Sequence, residues 1–311
     1  MSAMRSIPLS AQELSAAIRE DGRYDAARLD RVLRVDERHG LIEVQAGTSW
    51  HTIAATLRPG DERAAQATAT TSVGQSVTYN AAGPDGRPAI TYVESIAVVT
   101  PAGELRRASR SANRELFSLV AGGLGVCGAL YSVTLDIGIL SRAVHEAAQP
   151  KVVSFAEKPK HRPLRVLVPP EKVDAFLAEA RRLCGEWRMD LVGLEVRNTA
   201  PENDSFLRWA HRDYAAVTLR LAAPAVLGSA VRATQLRRDL IDAAIAQGGS
   251  FAIACTPEAT RAHVDACYPQ LPKFLAEKRR LDPSERMVNP WYLHHRRLFS
   301  GQTLAVRFGL T

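Results

Sequence analysis

Apolar residues recur along this chain with two periods, and the alternation between them predicts its elements. Near the N-terminus Ser10-Ala-Gln-Glu13 has the form of a capping box, and Leu14 with Ile18 supplies an apolar stripe, which predicts a helix to about Glu20. Arg31 to Val35 and Leu41 to Ala46 alternate on either side of Asp36-Glu-Arg-His-Gly40, which predicts a hairpin. After Ser49, the residues Trp50, Ile53, Ala54 and Leu57 fall at helical spacing before Pro59-Gly60, with His51 on the opposite, solvent-facing side. A strand pair follows in the nineties and hundreds. Ser111 to Val120 then reads as a helix, and Ala129 to Ile137 alternates as a strand.

Beyond Ile139 the pattern becomes irregular and polar as far as His161, through Pro150 and Pro159. A domain junction is placed in that stretch, giving domains over 1–143 and 144–311. The second begins a new order: strand Leu164–Val168, helix Glu171–Cys184, strand Leu191–Val196, strand Ala215–Leu221, helix Ala230–Gln247, strand Phe251–Ala254. That is a ferredoxin-like β-α-β-β-α-β unit, with an antiparallel sheet and helices on one face. The fold class expected for the whole chain is α+β.

Composition narrows the function. The 311 residues are 46% hydrophobic and 23% charged, the make-up of a globular protein long enough for two cores. No apolar run reaches the length of a membrane-spanning helix, and the first residues lack a secretory apolar segment, so a cytoplasmic address is expected. Cys127, Cys184, Cys255 and Cys267 have no paired short spacing and are expected as free thiols, with no zinc site. The net charge of +7 comes from scattered arginines without interleaved aromatics, which argues against nucleic-acid binding. The run His294-His-Arg-Arg297 lacks the spacing of a metal site and reads as solvated charge.

Chemistry concentrates between Ala69 and Leu135. Two glycine-punctuated, nearly uncharged segments lie there: Thr71-Ser-Val-Gly-Gln-Ser running to Asn80-Ala-Ala-Gly83, and Gly122-Gly-Leu-Gly-Val-Cys-Gly128. Glycines let a backbone approach a ligand closely, and successive free N–H groups can cradle an anion, so a phosphate-bearing cofactor is the candidate ligand. The literal G-x-G-x-x-G from Gly123 to Gly128 is not a Rossmann turn, because a helix precedes it and a strand follows, the reverse of the order that motif requires.

These segments, with Glu94-Ser-Ile-Ala-Val-Val-Thr-Pro-Ala-Gly-Glu104, Asn113-Arg-Glu-Leu-Phe117 and Gly122 to Leu135, resemble consecutive motifs of the FAD-linked oxidases, the vanillyl-alcohol oxidase and p-cresol methylhydroxylase superfamily. Val44-Gln-Ala-Gly47 and Trp50 to Leu57 resemble the strand and helix that precede the flavin turn there. The resemblance implies a PCMH-type FAD-binding domain followed by a substrate or cap domain, with the tail from about residue 282 returning to the first. It implies that Ser72, Val73, Gly74, Gln75, Ser76, Asn80, Ala82, Gly83, Gly125, Gly128 and Ala129 line an FAD cleft. On the substrate side it points to Glu195 and Arg197, which project from one strand face, and more weakly to Lys278.

The departure lies upstream. The family's first subdomain, with its glycine-rich pyrophosphate loop and the histidine some relatives attach to flavin, has no counterpart before Arg31. FAD is therefore expected to be non-covalent and weak or absent. The expected function is an FAD-dependent oxidoreductase taking hydride from a small alcohol, sugar or lactone. The alternative is a cofactor-free pseudoenzyme or binding subunit. The missing subdomain is expected to bare apolar surface, covered by a second copy of the chain, a protein partner or a rearranged N-terminal segment.

Overall fold

The structure is a computed structural model that describes residues 6–57, 71–83, 85–146, 152–153, 163–222 and 228–300. The helix stop at Pro59-Gly60, Ala69 and the prolines at 150 and 159 lie outside the described residues. Two five-stranded antiparallel sheets organise the chain. The first runs β1 (Val32–Asp36), β2 (Leu41–Gln45), β5 (Ala129–Asp136), β3 (Val93–Val99) and β4 (Leu105–Ser109) in spatial order. Ile42, Val44, Ile96, Val133 and Leu135 alternate onto one face and are fully buried. Against them pack α2 (Trp50–Leu57), α3 (Val73–Thr78) and α4 (Arg114–Val120), through Trp50, Ile53, Val73, Val77 and Phe117.

The opposite face corrects the expectation of bared apolar surface. The residues that alternate onto it are Glu43, Gln45, Ser95, Ala97, Arg107, Ser132 and Thr134, a polar set apart from the buried Ala97. Ser132 Oγ donates to Glu43 at 2.8 Å, and Arg107 bonds the same carboxylate at 3.1 Å. One end of the sheet, at Val99 and Ala129, is covered by α1 (Ala11–Glu20), whose Leu14 and Ile18 bury with Leu29 and Met287. The N-terminal segment thus supplies a small core of its own. Ser10 caps α1 by accepting from the Glu13 N–H, as its sequence predicts.

The strand β5 ends in a helix rather than in irregular chain. The stretch α5 (Ile137–Glu146) begins where Asp136 Oδ1 accepts the Ile139 N–H, and Leu140 and Ala143 bury. The polar residues around them hid a short amphipathic stripe. A two-residue strand β6 (Val152–Val153) then pairs with β8 (Asp190–Thr199).

The second sheet runs β10 (Ser250–Phe251), β7 (Leu164–Val168), β9 (Tyr214–Ala222), β8 and β6. With α6 (Val173–Trp187) and α7 (Ser229–Ala246) it forms the predicted split β-α-β-β-α-β unit. Leu164, Val166, Val217, Leu219 and Phe251 share one face by register and are buried, as are Phe176, Leu236, Leu240 and Ile241 on the two helices. The predicted last strand is shorter than expected, because a 3-10 turn at Ile253–Cys255 follows Phe251.

Three more helices follow among the described residues: α8 (Arg261–Cys267), α9 (Leu271–Leu281) and α10 (Pro290–Phe299). Asn289 caps α10 with its side-chain Oδ1, which accepts the Tyr292 N–H, and donates its Nδ2 to Leu124 O at 2.8 Å, which ties the tail to the glycine loop of the first sheet. Within α10 the His295 ring is wholly buried, lies 4.3 Å from the Trp291 ring centroid, and shares its Nδ1 with Trp291 O. Burial lowers its pKa from 6.5 to about 4, with His294 adding repulsion and the Trp291 carbonyl opposing. The unfolded chain binds this proton below pH 6.5 and the folded chain does not until about pH 4. Stability is therefore full above pH 6.5 and declines as pH falls toward 4, by roughly 2–3 kcal/mol from this group. Urea unfolding across that range should show the decline, and His295→Gln should flatten it; equal slopes in both proteins would contradict the assignment.

Candidate functional site

The glycine turn of the first sheet is built by α3. Ser72 caps it, its hydroxyl accepting from the Gln75 N–H. The next two amides are also committed: Val73 N–H donates to Thr48 O at 2.9 Å and Gly74 N–H to Ala46 O at 2.8 Å. Ser76 N–H bonds Ser72 O, and the Ser76 hydroxyl accepts from Trp50 Nε1 at 2.8 Å. Gly74 is a glycine because a Cβ there would stand 2.6 Å from both Cβ and O of Ala46. Its lack of a side chain serves contact with β2.

The second glycine segment packs directly on the first. Gly122 N–H donates to Val77 O and Leu124 N–H to Thr78 O, each at 2.9 Å. Gly128, beside the fully buried Ala129 of β5, leaves room for Val98, whose Cγ2 a Cβ would meet at 2.6 Å. Gly125 is looser: its φ of 76° requires glycine, yet a Cβ would meet only Thr78 Cγ2, at 3.5 Å.

Asn80, at the end of the turn, is 1% exposed with φ 44°. Its Nδ2 donates to Glu202 Oε1 at 3.2 Å and Ser205 Oγ at 3.3 Å, and its Oδ1 accepts the Ile90 N–H at 3.0 Å. The Asn80 carbonyl accepts Trp209 Nε1 at 2.7 Å. Glu202, itself buried, also accepts the Asp204 and Ser205 amides and the Ser205 hydroxyl. Asn80 therefore joins the turn to the loop that follows β8. Sequence reasoning missed Glu202 and Trp209, whose only signal was that a buried carboxylate and indole need partners.

A second contact lies beside it. Ala82 bridges to Pro88, and Gly83 donates to Arg87 O at 2.7 Å and leaves space for the Tyr92 ring, whose hydroxyl a Cβ would meet at 2.3 Å. Asp85 pairs with Arg87 at 2.6 Å and accepts from the Tyr92 hydroxyl. Burial first, and the Asp85 carboxylate second, raise the Tyr92 pKa far above its ordinary value, so the phenol stays protonated. Gly86, at φ 85°, comes so close to β8 that a Cβ would stand 2.2 Å from Asn198 O and 3.8 Å from Arg197 Cβ.

Arg197 thus lies where β8 meets the first sheet's loop, and its guanidinium pairs with Glu195 on the same strand face. Both side chains remain partly exposed. Lys278 is not brought to them. It is fully buried in α9, pairs with Asp282 and faces the Tyr292 ring at 5.1 Å. Burial opposes the Asp282 charge, yet hydrogen bonds from Lys278 and the Met287 and Arg286 amides hold its pKa below the ordinary value. The Lys278–Asp282 pair shapes the turn between α9 and α10, away from the substrate side where the sequence weakly places Lys278.

A cleft of about 600 Å³ opens beside α3, lined by Tyr24, Ala27, Ser72, Gly74, Gln75 and Tyr79 among others. Its volume lies in the range of ligand sites. Ser72, Gly74 and Gln75 line it, whereas Asn80, Gly83, Gly125, Gly128 and Ala129 do not. The turn at α3 does not offer an FAD pyrophosphate cradle: the amides of Val73, Gly74, Gln75 and Ser76 all point at protein acceptors, and Asn80 has no donor left. Among the described residues no cluster of metal ligands occurs, and no helix is long and apolar enough to cross a membrane.

The Asn80 contact predicts a large effect from a small change. Asn80→Asp keeps the shape but faces a carboxylate with Glu202, so unfolding in urea should show a loss of at least about 2–3 kcal/mol. A loss below about 0.5 kcal/mol would remove Asn80 from its joining role.

Comparison with known proteins agrees on the first sheet. Residues 23–109 match the family model described as an FAD binding domain. The match spans β1, β2, α2, the glycine turn, β3 and β4, and stops before Gly122. No curated protein matches the chain. Segment 23–109, which carries the turn, its flanking hairpin and the strand pair after it, belongs to the FAD-binding domain family of the FAD-linked oxidases.

Proposed function

We propose that this chain is a small-molecule-binding relative of the FAD-linked oxidases that holds FAD weakly and non-covalently and carries no resident flavin. The observation behind this reading is the commitment of the turn amides and of Asn80 to protein partners. A flavin would have to displace bonds already made, and each charge-assisted bond it fails to make forfeits roughly 1.5–3 kcal/mol, or one to two orders of magnitude in affinity. Its four unpaired cysteines suit a reducing, cytoplasmic setting.

A second reading is an FAD-dependent oxidoreductase acting on a small alcohol, sugar or lactone. The family match over 23–109 favours it, as does the Glu195–Arg197 pair beside the Gly86 loop. In that case Glu195 and Arg197 would orient substrate. Lys278, sealed with Asp282, would stay structural.

Colour and titration separate the readings. The purified protein should be colourless after gel filtration, and added FAD, followed by quenching of its fluorescence, should bind with a Kd of about 10 μM or weaker. Stoichiometric yellow protein, or a nanomolar Kd, would overturn the first reading and support the second. Turnover lost in Glu195→Ala and Arg197→Ala with flavin retained would then assign those residues to substrate.

A further inference from the structure

The second sheet turns one face away from α6 and α7, and its residues are not those of a surface left to solvent. Register places Arg165 of β7, Thr218 of β9 and Glu195 of β8 in one row across three strands. Arg220 stands one row along beside Gly193, and Arg197 one row the other way beside Ala216. Strand and residue spacings put these positions within about 15 Å, so that arginine side chains can converge between them. Three guanidinium groups surround one carboxylate. Asp190 shares the face only at the far end of β8.

The partners of these arginines differ. Arg197 pairs with Glu195. Arg165 Nε donates to the neutral Thr218 hydroxyl at 3.3 Å and, among the described residues, meets no carboxylate. The Arg220 side chain makes no ion pair or hydrogen bond among the described residues. Its stem nevertheless has a prepared path: a Cβ on Gly193 would stand 2.8 Å from Arg220 Cδ and 3.2 Å from its Cβ and Cγ. Gly193 therefore lets the stem lie across β8, on the same face as the Glu195–Arg197 pair. Thr218, only 6% exposed, lies beneath.

We propose that this face binds a small oxyanion, the carboxylate or phosphate group of a small-molecule ligand, through Arg165 and Arg220, with Arg197 drawn from Glu195 to complete the contact. Planar guanidinium groups match the paired oxygens of either anion, and the excess of positive charge supplies the attraction. Glu195 then acts as an internal competitor that occupies Arg197 until the ligand arrives. The inference rests on the small-molecule-binding reading and supplies its ligand class.

Calorimetry on the flavin-free protein at low salt tests it, with inorganic phosphate and glycolate as separate probes. At least one should bind saturably, more weakly as ionic strength rises. Binding of phosphate alone would identify a phosphate ester as the ligand type, and binding of glycolate alone a carboxylate. Arg165→Gln and Arg220→Gln should each weaken binding about fivefold or more. Gly193→Ala should weaken it by displacing the Arg220 stem. Glu195→Gln should strengthen it about threefold or more, a gain that a misfolded variant could not produce. Arg182→Gln, on the exposed side of α6, should change nothing. Absence of saturable binding by both probes, binding unaffected by the arginine replacements, or weaker binding in Glu195→Gln would overturn the proposal. The FAD titration is read separately, so either conclusion can fail alone.

Discussion

Asn80 sits in a left-handed conformation where the glycine turn, the 3-10 turn that carries Ile90 ahead of β3 and the loop after β8 converge, and every polar atom of its backbone and side chain is engaged there. A buried amide must satisfy two donors and its acceptors together, so its partners are fixed relative to one another or all are left unpaired. That requirement ties the first sheet's glycine turn to the loop after β8. It brings Phe206 N–H to Ser118 O and Arg110 to Asp204, and allows Gly86 to meet β8 backbone to backbone. Two glycine segments that could have enclosed a ligand instead enclose each other.

The consequence for chemistry follows from counting donors. A turn cradles phosphate only with amides that point into a cavity, and in α3 they point into β2, the preceding loop and the Ser72 cap. The segment of residues 26–29 presses its carbonyls so close to Gly47 that a Cβ there would stand 2.2 Å from Ala26 O. Among the described residues, cationic groups without an ion pair lie elsewhere, at Arg165 and Arg220 on the second sheet.

Much of this architecture was legible in the sequence. Alternation gave both hairpins of the first sheet, and the split β-α-β-β-α-β unit emerged with its strand order because long amphipathic helices and apolar strands leave little choice. The helix at Ile137–Glu146 was not legible, since its stripe is interrupted by polar residues and its cap, Asp136, belongs to the preceding strand. The glycines were read correctly as places of close approach, but a glycine does not say what approaches. At Gly74, Gly83 and Gly128 it is protein. The burial of Lys278 was not legible, because its neighbours in α9 are charged and its partner Asp282 lies just beyond the helix and closes over it. Arg165 and Arg220, far apart in sequence, become neighbours only through the register of β7 and β9.

The central claim is that the turn amides are committed to the protein before any flavin arrives. Residue-resolved amide hydrogen exchange at Val73, Gly74, Gln75 and Ser76 tests it most directly, since each N–H has a protein acceptor and Val73, Gly74 and Ser76 are buried. Exchange at Val73, Gly74 and Ser76 should be slow in the flavin-free protein, with no further slowing at any of the four when FAD is added. Fast exchange in the free protein that becomes protected with FAD would show instead that these amides wait for the cofactor, and would contradict the account.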